Sequence, residues 1–157
     1  MSLKIFLIGL PGAGKTTMGL DLAVHLGVQF VDLDQDIEKF NKQTVREIFD
    51  EKGEAHFRQL EKHHLEKVIN ELDSFVMATG GGTPCFFDNL EQMKRSGKVV
   101  FINTPLQTIK NRIKNDESRP ILMSTSLEAL LESRVDYYKQ ADYTITSLAS
   151  LMSLFKN

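Results

Sequence analysis

The octapeptide Gly-Leu-Pro-Gly-Ala-Gly-Lys-Thr at residues 9–16 constrains the fold more than any other feature of this sequence. It fits the pattern Gly-x-x-x-x-Gly-Lys-Ser/Thr, in which glycines let the backbone curl until successive N–H groups point at phosphate oxygens. The pattern carries this meaning only between a buried strand and the positive end of a helix. Here an apolar run at 3–8 precedes it and a helical pattern begins at about Lys15. A glycine-rich turn without a ligand is therefore the weaker interpretation.

The rest of the chain continues the alternation of strand and helix that this motif begins. Later strands are predicted at the short apolar runs 30–33, 75–78, 99–102 and 143–145. Helical patterns lie between them, at about 34–72 with a break at Gly53, 105–115 and 127–139. Such alternation predicts an α/β fold of three layers, a five-stranded parallel sheet with helices on both faces. We expect residues 1–157 to form a single P-loop domain.

Composition restricts the classes of partner. Nineteen basic against twenty-one acidic residues, without a basic stripe, argue against nucleic acid as a partner. No apolar run approaches the roughly 20 residues of a membrane helix, so we expect no membrane contact. Cys85 is the single cysteine, which excludes an intramolecular disulfide, and the amino terminus leads directly into a predicted strand. We expect a cytoplasmic protein, with a monomer as the simplest state.

Two aspartates follow the second predicted strand. A strand period of two places Asp32 and Asp34 on the same side, at the carboxyl end where open α/β sheets bind ligands. One carboxylate near Mg²⁺ can hold a metal-bound water, and a more distant one can accept the proton of an attacking hydroxyl. We assign the first role to Asp32 and the second to Asp34. The alternative is a strand-end turn or a helix cap at Asp34.

Arg58 and Glu61 lie three positions apart in the segment Phe57-Arg58-Gln59-Leu60-Glu61, on one face of a predicted helix. Glu61 can hold the guanidinium still, and an oriented arginine forms a two-point fork with a carboxylate. That suggests an acceptor that carries a carboxylate. The alternative is a solvated ion pair worth only about 0.3 to 0.5 kcal/mol. Phe49 and Phe57 are candidate pocket walls, or plain core residues.

The three glycines at 80–82 directly follow the third predicted strand, so the backbone can approach a ligand more closely than any residue with a Cβ permits. The alternative is a flexible turn. The strand before them, at 76–78, ends without the acidic residue usual at this position in P-loop proteins. Metal support therefore falls to Thr16 and Asp32.

A polar segment at about 115–126, which contains Arg119-Pro120, separates two helical patterns and has the length of a mobile active-site lid. Closing it would exclude water, which competes with the acceptor for the phosphoryl group. Arg119 can stabilise the transferring charge, and Arg112 can approach the nucleotide. Arg134, on the following helix, can join Arg58 in clamping a carboxylate. Taken singly, each arginine is more often a surface charge than a catalyst.

Together these motifs resemble those of the shikimate kinase family, and the likeness runs over about residues 5–143. They stand here as GLPGAGKT, Asp32-Leu33-Asp34, Phe57-Arg58-Gln59-Leu60-Glu61, Gly80-Gly81-Gly82 and Arg119-Pro120-Ile121-Leu122. The sequence departs from the family at Ile121, where leucine is common, and in a short tail after Ile145. The tail lacks the basic and proline residues that often border the adenine.

The resemblance implies transfer of a phosphoryl group from ATP, with Mg²⁺, to the 3-hydroxyl of shikimate. The helical region at about 34–72 would bind shikimate. The implied shikimate contacts are Pro11, Asp34, Phe49, Phe57, Arg58, Gly80, Gly81, Gly82 and Arg134. The implied ATP contacts are Gly12, Ala13, Gly14, Lys15, Thr16, Thr17, Arg112 and Arg119. The implied metal-binding residues are Thr16 and Asp32, and the implied catalytic residues are Lys15, Asp34 and Arg119.

Three alternatives are compatible with the P-loop alone. A kinase of the gluconate type would need a differently furnished acceptor site, and Phe57-Arg58 with Glu61 argues against it. A non-catalytic nucleotide-binding module predicts damage at Asp34, Lys15 or Arg119, and all three are present. A GTPase is disfavoured because the sequence has no Asn-Lys-x-Asp segment for reading guanine.

Overall fold

Five parallel strands form the sheet in the computed structural model, which describes residues 2–113 and 126–156. The strands are β1 (Lys4–Ile8), β2 (Gln29–Asp32), β3 (Phe75–Ala78), β4 (Lys98–Ile102) and β5 (Tyr143–Ile145). Their order across the sheet is β2-β3-β1-β4-β5, and every neighbouring pair is parallel. The predicted five-stranded parallel sheet is therefore confirmed.

Helices connect and flank these strands. They are α1 (Lys15–Leu26), α2 (Leu33–Asn41), α3 (Val45–Glu71), α4 (Asn89–Ser96), α5 (Leu106–Ile113), α6 (Leu127–Tyr138) and α7 (Leu148–Leu154). A short 3-10 helix spans Thr83–Cys85. Among the helices of residues 2–113 and 126–156, none combines the length and apolar content needed to span a bilayer.

The centre of the sheet is buried on both faces, which explains why its strands are continuous apolar runs instead of alternating patterns. Every residue of β3 is buried, and so are four of the five in β1. Register places Leu7 of β1 opposite Ala78 of β3, and Asp32 of β2 opposite the same alanine. The carboxyl ends of these three neighbouring strands therefore lie level at one edge of the sheet.

Helix boundaries follow local sequence signals. Gly27 ends α1 in the left-handed region, with φ at 68°, and its N–H bonds back to the last turn, as the sequence predicts. Thr44 and Glu47 form a reciprocal capping box at the start of α3. Gly53 interrupts α3 with φ at 84° and ψ at 169°, so the predicted break is confirmed.

The prediction that a strand carries both Asp32 and Asp34 on one side is wrong. Strand β2 ends at Asp32, and Leu33 begins α2, so Asp34 lies in the first turn of a helix. Asp32 is the cap, because its Oδ1 accepts a hydrogen bond from the backbone N–H of Gln35 at 3.1 Å. Aspartate is favoured both as a cap and in the first turn, where it meets the positive end of the helix dipole. These preferences prevail over the continuation of the strand.

Three short elements were not predicted: the 3-10 helix, α4 and α7. Helices α4 and α7 have eight and seven residues, too few for a clear helical period. Helix α7 is serine-rich and begins where the Ser147 hydroxyl accepts from the N–H of Ser150 at 3.1 Å. It fixes Leu151 in the core, so the short tail of the chain is part of the fold.

Candidate active site

The phosphate-binding loop joins β1 to α1 and has the conformation that its sequence requires. Gly12 and Gly14 have φ values of 81° and 107°, a region that residues with a Cβ rarely adopt. A Cβ at Gly12 would also lie 2.6 Å from Cγ2 of Ile113. The Thr104 hydroxyl, from the segment after β4, donates to the Ala13 carbonyl at 2.6 Å and fixes the loop from outside. Sequence reasoning missed Thr104.

Two polar side chains at the end of this loop, Lys15 and Thr16, make different contacts. The Lys15 ammonium donates to the carbonyl oxygens of Gly9 at 2.5 Å and Leu10 at 3.1 Å, so it lies along the loop. The Thr16 hydroxyl donates to Oδ2 of Asp32 at 2.9 Å. The two side-chain oxygens that the sequence predicts as metal ligands therefore lie side by side. Oxygen ligands of this kind are the ones that Mg²⁺ prefers.

Arg112, near the end of α5, reaches the same loop. Its Nη1 donates to the Gly12 carbonyl at 3.1 Å. The same nitrogen would lie 3.4 Å from a Cβ built on Gly14. The structure thus places this arginine at the phosphate-binding loop, and its contact with the nucleotide stays a prediction.

The Asp34 carboxyl is buried and lies at the wall of the site. Its Oδ1 is buried and has no hydrogen-bond partner among the described residues. Desolvation raises the pKa of this carboxyl from its usual 3.8 to about 7, with further contributions from the negative charges of Glu61 and Asp32. The positive charge of Lys15 opposes the rise. A carboxyl with such a pKa exchanges its proton near neutral pH.

Arg58 and Glu61 form a buried pair, which excludes the solvated alternative. Their side chains are 4% and 0% exposed, and Nη1 of Arg58 lies 3.0 Å from Oε1 of Glu61. Glu54 accepts from Nη2 at 3.0 Å and from Nε at 3.3 Å. The guanidinium carbon lies 4.2 Å from the ring centre of Phe86 and 5.2 Å from that of Phe57. The position and plane of the guanidinium are therefore fixed on several sides.

The triple glycine gives two arginines room to approach the backbone. A Cβ at Gly82 would lie 2.6 Å from Nη2 of Arg58. A Cβ at Gly81 would lie 2.8 Å from both Nη1 of Arg134 and Cδ of Pro11. None of the three glycines has a positive φ. Their function in the fold is therefore close approach and not an unusual backbone conformation, so the flexible-turn alternative is disfavoured.

Glu61 is held by a second contact that the sequence did not reveal. The Thr83 hydroxyl, one residue after the triple glycine, donates to its Oε2 at 2.7 Å. The Asn89 amide donates to the Thr83 carbonyl at 2.9 Å. Desolvation raises the pKa of Glu61, and the charge of Arg58 opposes the rise most strongly, followed by the bond from Thr83. Only the position of Thr83 beside the glycines could have indicated its involvement.

A cavity of about 610 Å³ connects the phosphate-binding loop to these arginines. Its walls include most of the residues predicted from the sequence: Pro11, Gly12, Gly14, Lys15, Thr16, Thr17, Asp32, Asp34, Phe49, Phe57, Arg58, Gly80, Gly81, Gly82, Arg112 and Arg134. The side chain of Ala13 is buried and does not line it. Arg119 and almost all of the predicted lid lie outside the described residues.

Comparison with known proteins agrees with this geometry. The family model described as shikimate kinase matches residues 11–153. The chain belongs to the shikimate kinase family. A shikimate kinase of Persephonella marina is 41% identical over 146 residues, which cover 92% of this chain and 88% of that protein. One from Bacteroides thetaiotaomicron is 45% identical over 148 residues, which cover 89% and 84%.

Solved structures of shikimate kinases have the same fold. That of the Bacteroides thetaiotaomicron enzyme superposes with a TM-score of 0.89 at 38% identity and covers 98% of each chain. That of the Acinetobacter baumannii enzyme in complex with shikimate gives 0.91 at 34% identity and covers 98% of this chain and 93% of the other. The predicted family, fold and enzyme class are confirmed, and the family's phosphoryl donor is ATP. The roles of individual residues stay predictions.

Proposed function

We propose that this chain transfers the γ-phosphoryl group of ATP to the 3-hydroxyl of shikimate, giving shikimate 3-phosphate and ADP. One observation supports the acceptor most strongly: Arg58 and Arg134, both buried, lie against the triple glycine in the cavity that the phosphate-binding loop also lines. Two buried guanidinium groups at a glycine backbone suit a carboxylate. A neutral polyol offers no carboxylate for these two guanidinium groups to bind.

In this proposal the residues around ATP have separate roles. The backbone N–H groups of residues 12–17 and the ammonium of Lys15 bind the phosphates, and Arg112 lies by the nucleotide. Thr16 and Asp32 hold Mg²⁺, since their oxygens already lie 2.9 Å apart. When bound, Mg²⁺ neutralises charge on the phosphate oxygens.

Asp34 acts on the acceptor hydroxyl. Its unpartnered Oδ1 accepts a hydrogen bond from the 3-hydroxyl and orients that oxygen towards the γ-phosphorus. As the new O–P bond forms and the bond to the β-phosphate oxygen breaks, the hydroxyl proton passes to Asp34. A pKa of about 7 suits that transfer at neutral pH. On sequence grounds we propose that Arg119 adds positive charge from a lid at 115–126.

ADP release in the presence of MgATP tests the function directly. We expect strong stimulation by shikimate, none by gluconate or a nucleoside monophosphate, and a product phosphorylated at the 3-position by phosphorus NMR. Stimulation by another acceptor instead would overturn the acceptor assignment. ATP binding without turnover of any acceptor would favour a non-catalytic module.

We further propose that residues 1–157 work as one kinase domain, as a monomer in the cytoplasm, without nucleic-acid or membrane partners. A monomer is the simplest state for a single domain of 157 residues. ATP is a solute of the cell interior. Light scattering coupled to size exclusion tests the oligomeric state, and a dimer would contradict the proposal.

A further inference from the structure

Tyr138, the last residue of α6, makes a contact that the proposed reaction does not yet use. Its side chain is fully buried, and its ring packs on Phe101 with 5.0 Å between ring centres. Its hydroxyl donates to the Gly81 carbonyl at 2.6 Å. The only polar atom of this buried ring is thus directed at the backbone of the triple glycine.

Gly81 differs from its two neighbours in how its carbonyl is held. The Gly80 carbonyl accepts from the N–H of Thr83 at 3.1 Å, and the Gly82 carbonyl accepts from the N–H of Cys85 at 3.0 Å. Those two bonds are local and close the turn. The Gly81 carbonyl is held by a side chain 57 residues away in sequence. The orientation of this one peptide therefore depends on α6.

The same helix carries Arg134, one turn before Tyr138 and on the same face. The Arg134 guanidinium packs against Gly81 and interacts with the Tyr138 hydroxyl. Burial raises the pKa of that hydroxyl, and the charge of Arg134 opposes the rise. The hydroxyl consequently stays protonated and remains a donor at any physiological pH. Arg134, Tyr138 and Gly81 form one connected unit.

We propose that Tyr138 is a positioning residue for acceptor binding, because it holds the Gly81 peptide and the Arg134 guanidinium in a fixed position relative to each other. Both groups contact the acceptor carboxylate region in the proposed function, on which this inference rests. Without the hydroxyl, the Gly81 carbonyl loses its partner and the peptide can rotate away from the guanidinium. The Tyr138 hydroxyl bonds to Gly81 and interacts with Arg134, and among the described residues it makes no hydrogen bond to the phosphate-binding loop.

The test is Tyr138→Phe, which keeps the ring and its packing on Phe101 and removes one oxygen. The matched control is Tyr137→Phe, which removes the same atom from a partly exposed neighbour on α6. We expect Tyr138→Phe to raise the KM for shikimate and its calorimetric dissociation constant about five- to tenfold, as loss of one buried hydrogen bond predicts. The kcat and the KM for ATP should change less than about twofold. Tyr137→Phe should match the wild type.

A double-mutant cycle with Arg134→Lys asks whether Tyr138 acts through the arginine. If it does, the combined variant should lose less shikimate affinity than the product of the two single losses. Thermal unfolding confirms that each variant is folded. The positioning role would be overturned by an unchanged KM for shikimate in Tyr138→Phe, or by equal damage to the KM for shikimate, the KM for ATP and kcat. Neither result would affect the proposed function as long as the wild type phosphorylates shikimate. Failure of the wild type to use shikimate would overturn the proposed function itself.

Discussion

The buried carboxyl of Asp34 should make the ligand-free protein less stable as the pH rises. Its pKa is 3.8 in the unfolded reference and about 7 in the folded state, so the folded state holds the proton more tightly. Its contribution to stability is therefore fully present below about pH 4 and is lost as the pH rises through about 7. At about 1.4 kcal/mol per pH unit, the loss is at most about 4 kcal/mol.

Asp34→Asn removes the charge and keeps the shape of the side chain. Any cost of burying the amide is independent of pH, whereas the cost of the wild-type carboxylate grows with pH. The free energy of unfolding of the variant relative to the wild type should therefore increase by about 2 to 3 kcal/mol between about pH 5 and pH 8. Urea unfolding at several pH values, with EDTA and without nucleotide, measures this difference.

Asp21→Asn is the matched control, because it removes an exposed carboxylate from α1. It should show little dependence of the stability difference on pH. If Asp34→Asn behaves like this control, the carboxyl is not desolvated in the folded protein and the reasoning fails. The same Asp34 variant should lose at least about 100-fold in kcat, since the acceptor hydroxyl then has no base.

Three further substitutions test the residues that hold the two substrate sites in place. Arg58→Ala should raise the KM for shikimate about 10- to 100-fold, as loss of charged hydrogen bonds predicts, and leave the KM for ATP near that of the wild type. A wild-type shikimate KM would refute the carboxylate clamp. Gly82→Ala should raise the same constant about tenfold or more, because the new Cβ would lie 2.6 Å from the Arg58 guanidinium; unchanged steady-state kinetics would show that the arginine moves without cost. Thr104→Val removes the hydroxyl that holds the Ala13 carbonyl, so the KM for ATP should rise about fivefold and the calorimetric affinity for shikimate should not. Equal losses for both substrates would instead indicate general loosening.

Sequence reasoning predicted the features that depend on local chemistry. The phosphate-binding loop has its own backbone signature, and short apolar runs set the strands of a sheet buried on both faces. The Arg58–Glu61 pair follows from helical spacing alone. The family motifs predict which residues bind the acceptor, and those residues line one cavity.

The site contacts that were not predicted from the sequence join segments far apart in the chain. Thr104 and Ala13 are 91 residues apart, and Tyr138 and Gly81 are 57 apart. Neither pair has a local pattern that reveals it. The position of Asp34 was mispredicted for a different reason: a strand ending and a helix beginning compete at the same residues, and capping at Asp32 decides between them.

The level ends of β1, β2 and β3 have a consequence for how the enzyme tolerates change. The aspartates, the triple glycine and the phosphate-binding loop lie at the carboxyl ends of β2, β3 and β1, which are neighbours in that order, so the backbones that carry them are about 4.8 Å apart from one strand to the next. The backbone hydrogen bonds between these strands thus set the distance between the phosphate-binding loop and the acceptor site. Side chains lining the cavity can vary in evolution without altering that distance, whereas a slip of one residue between β1 and β3 would change it for every substrate at once.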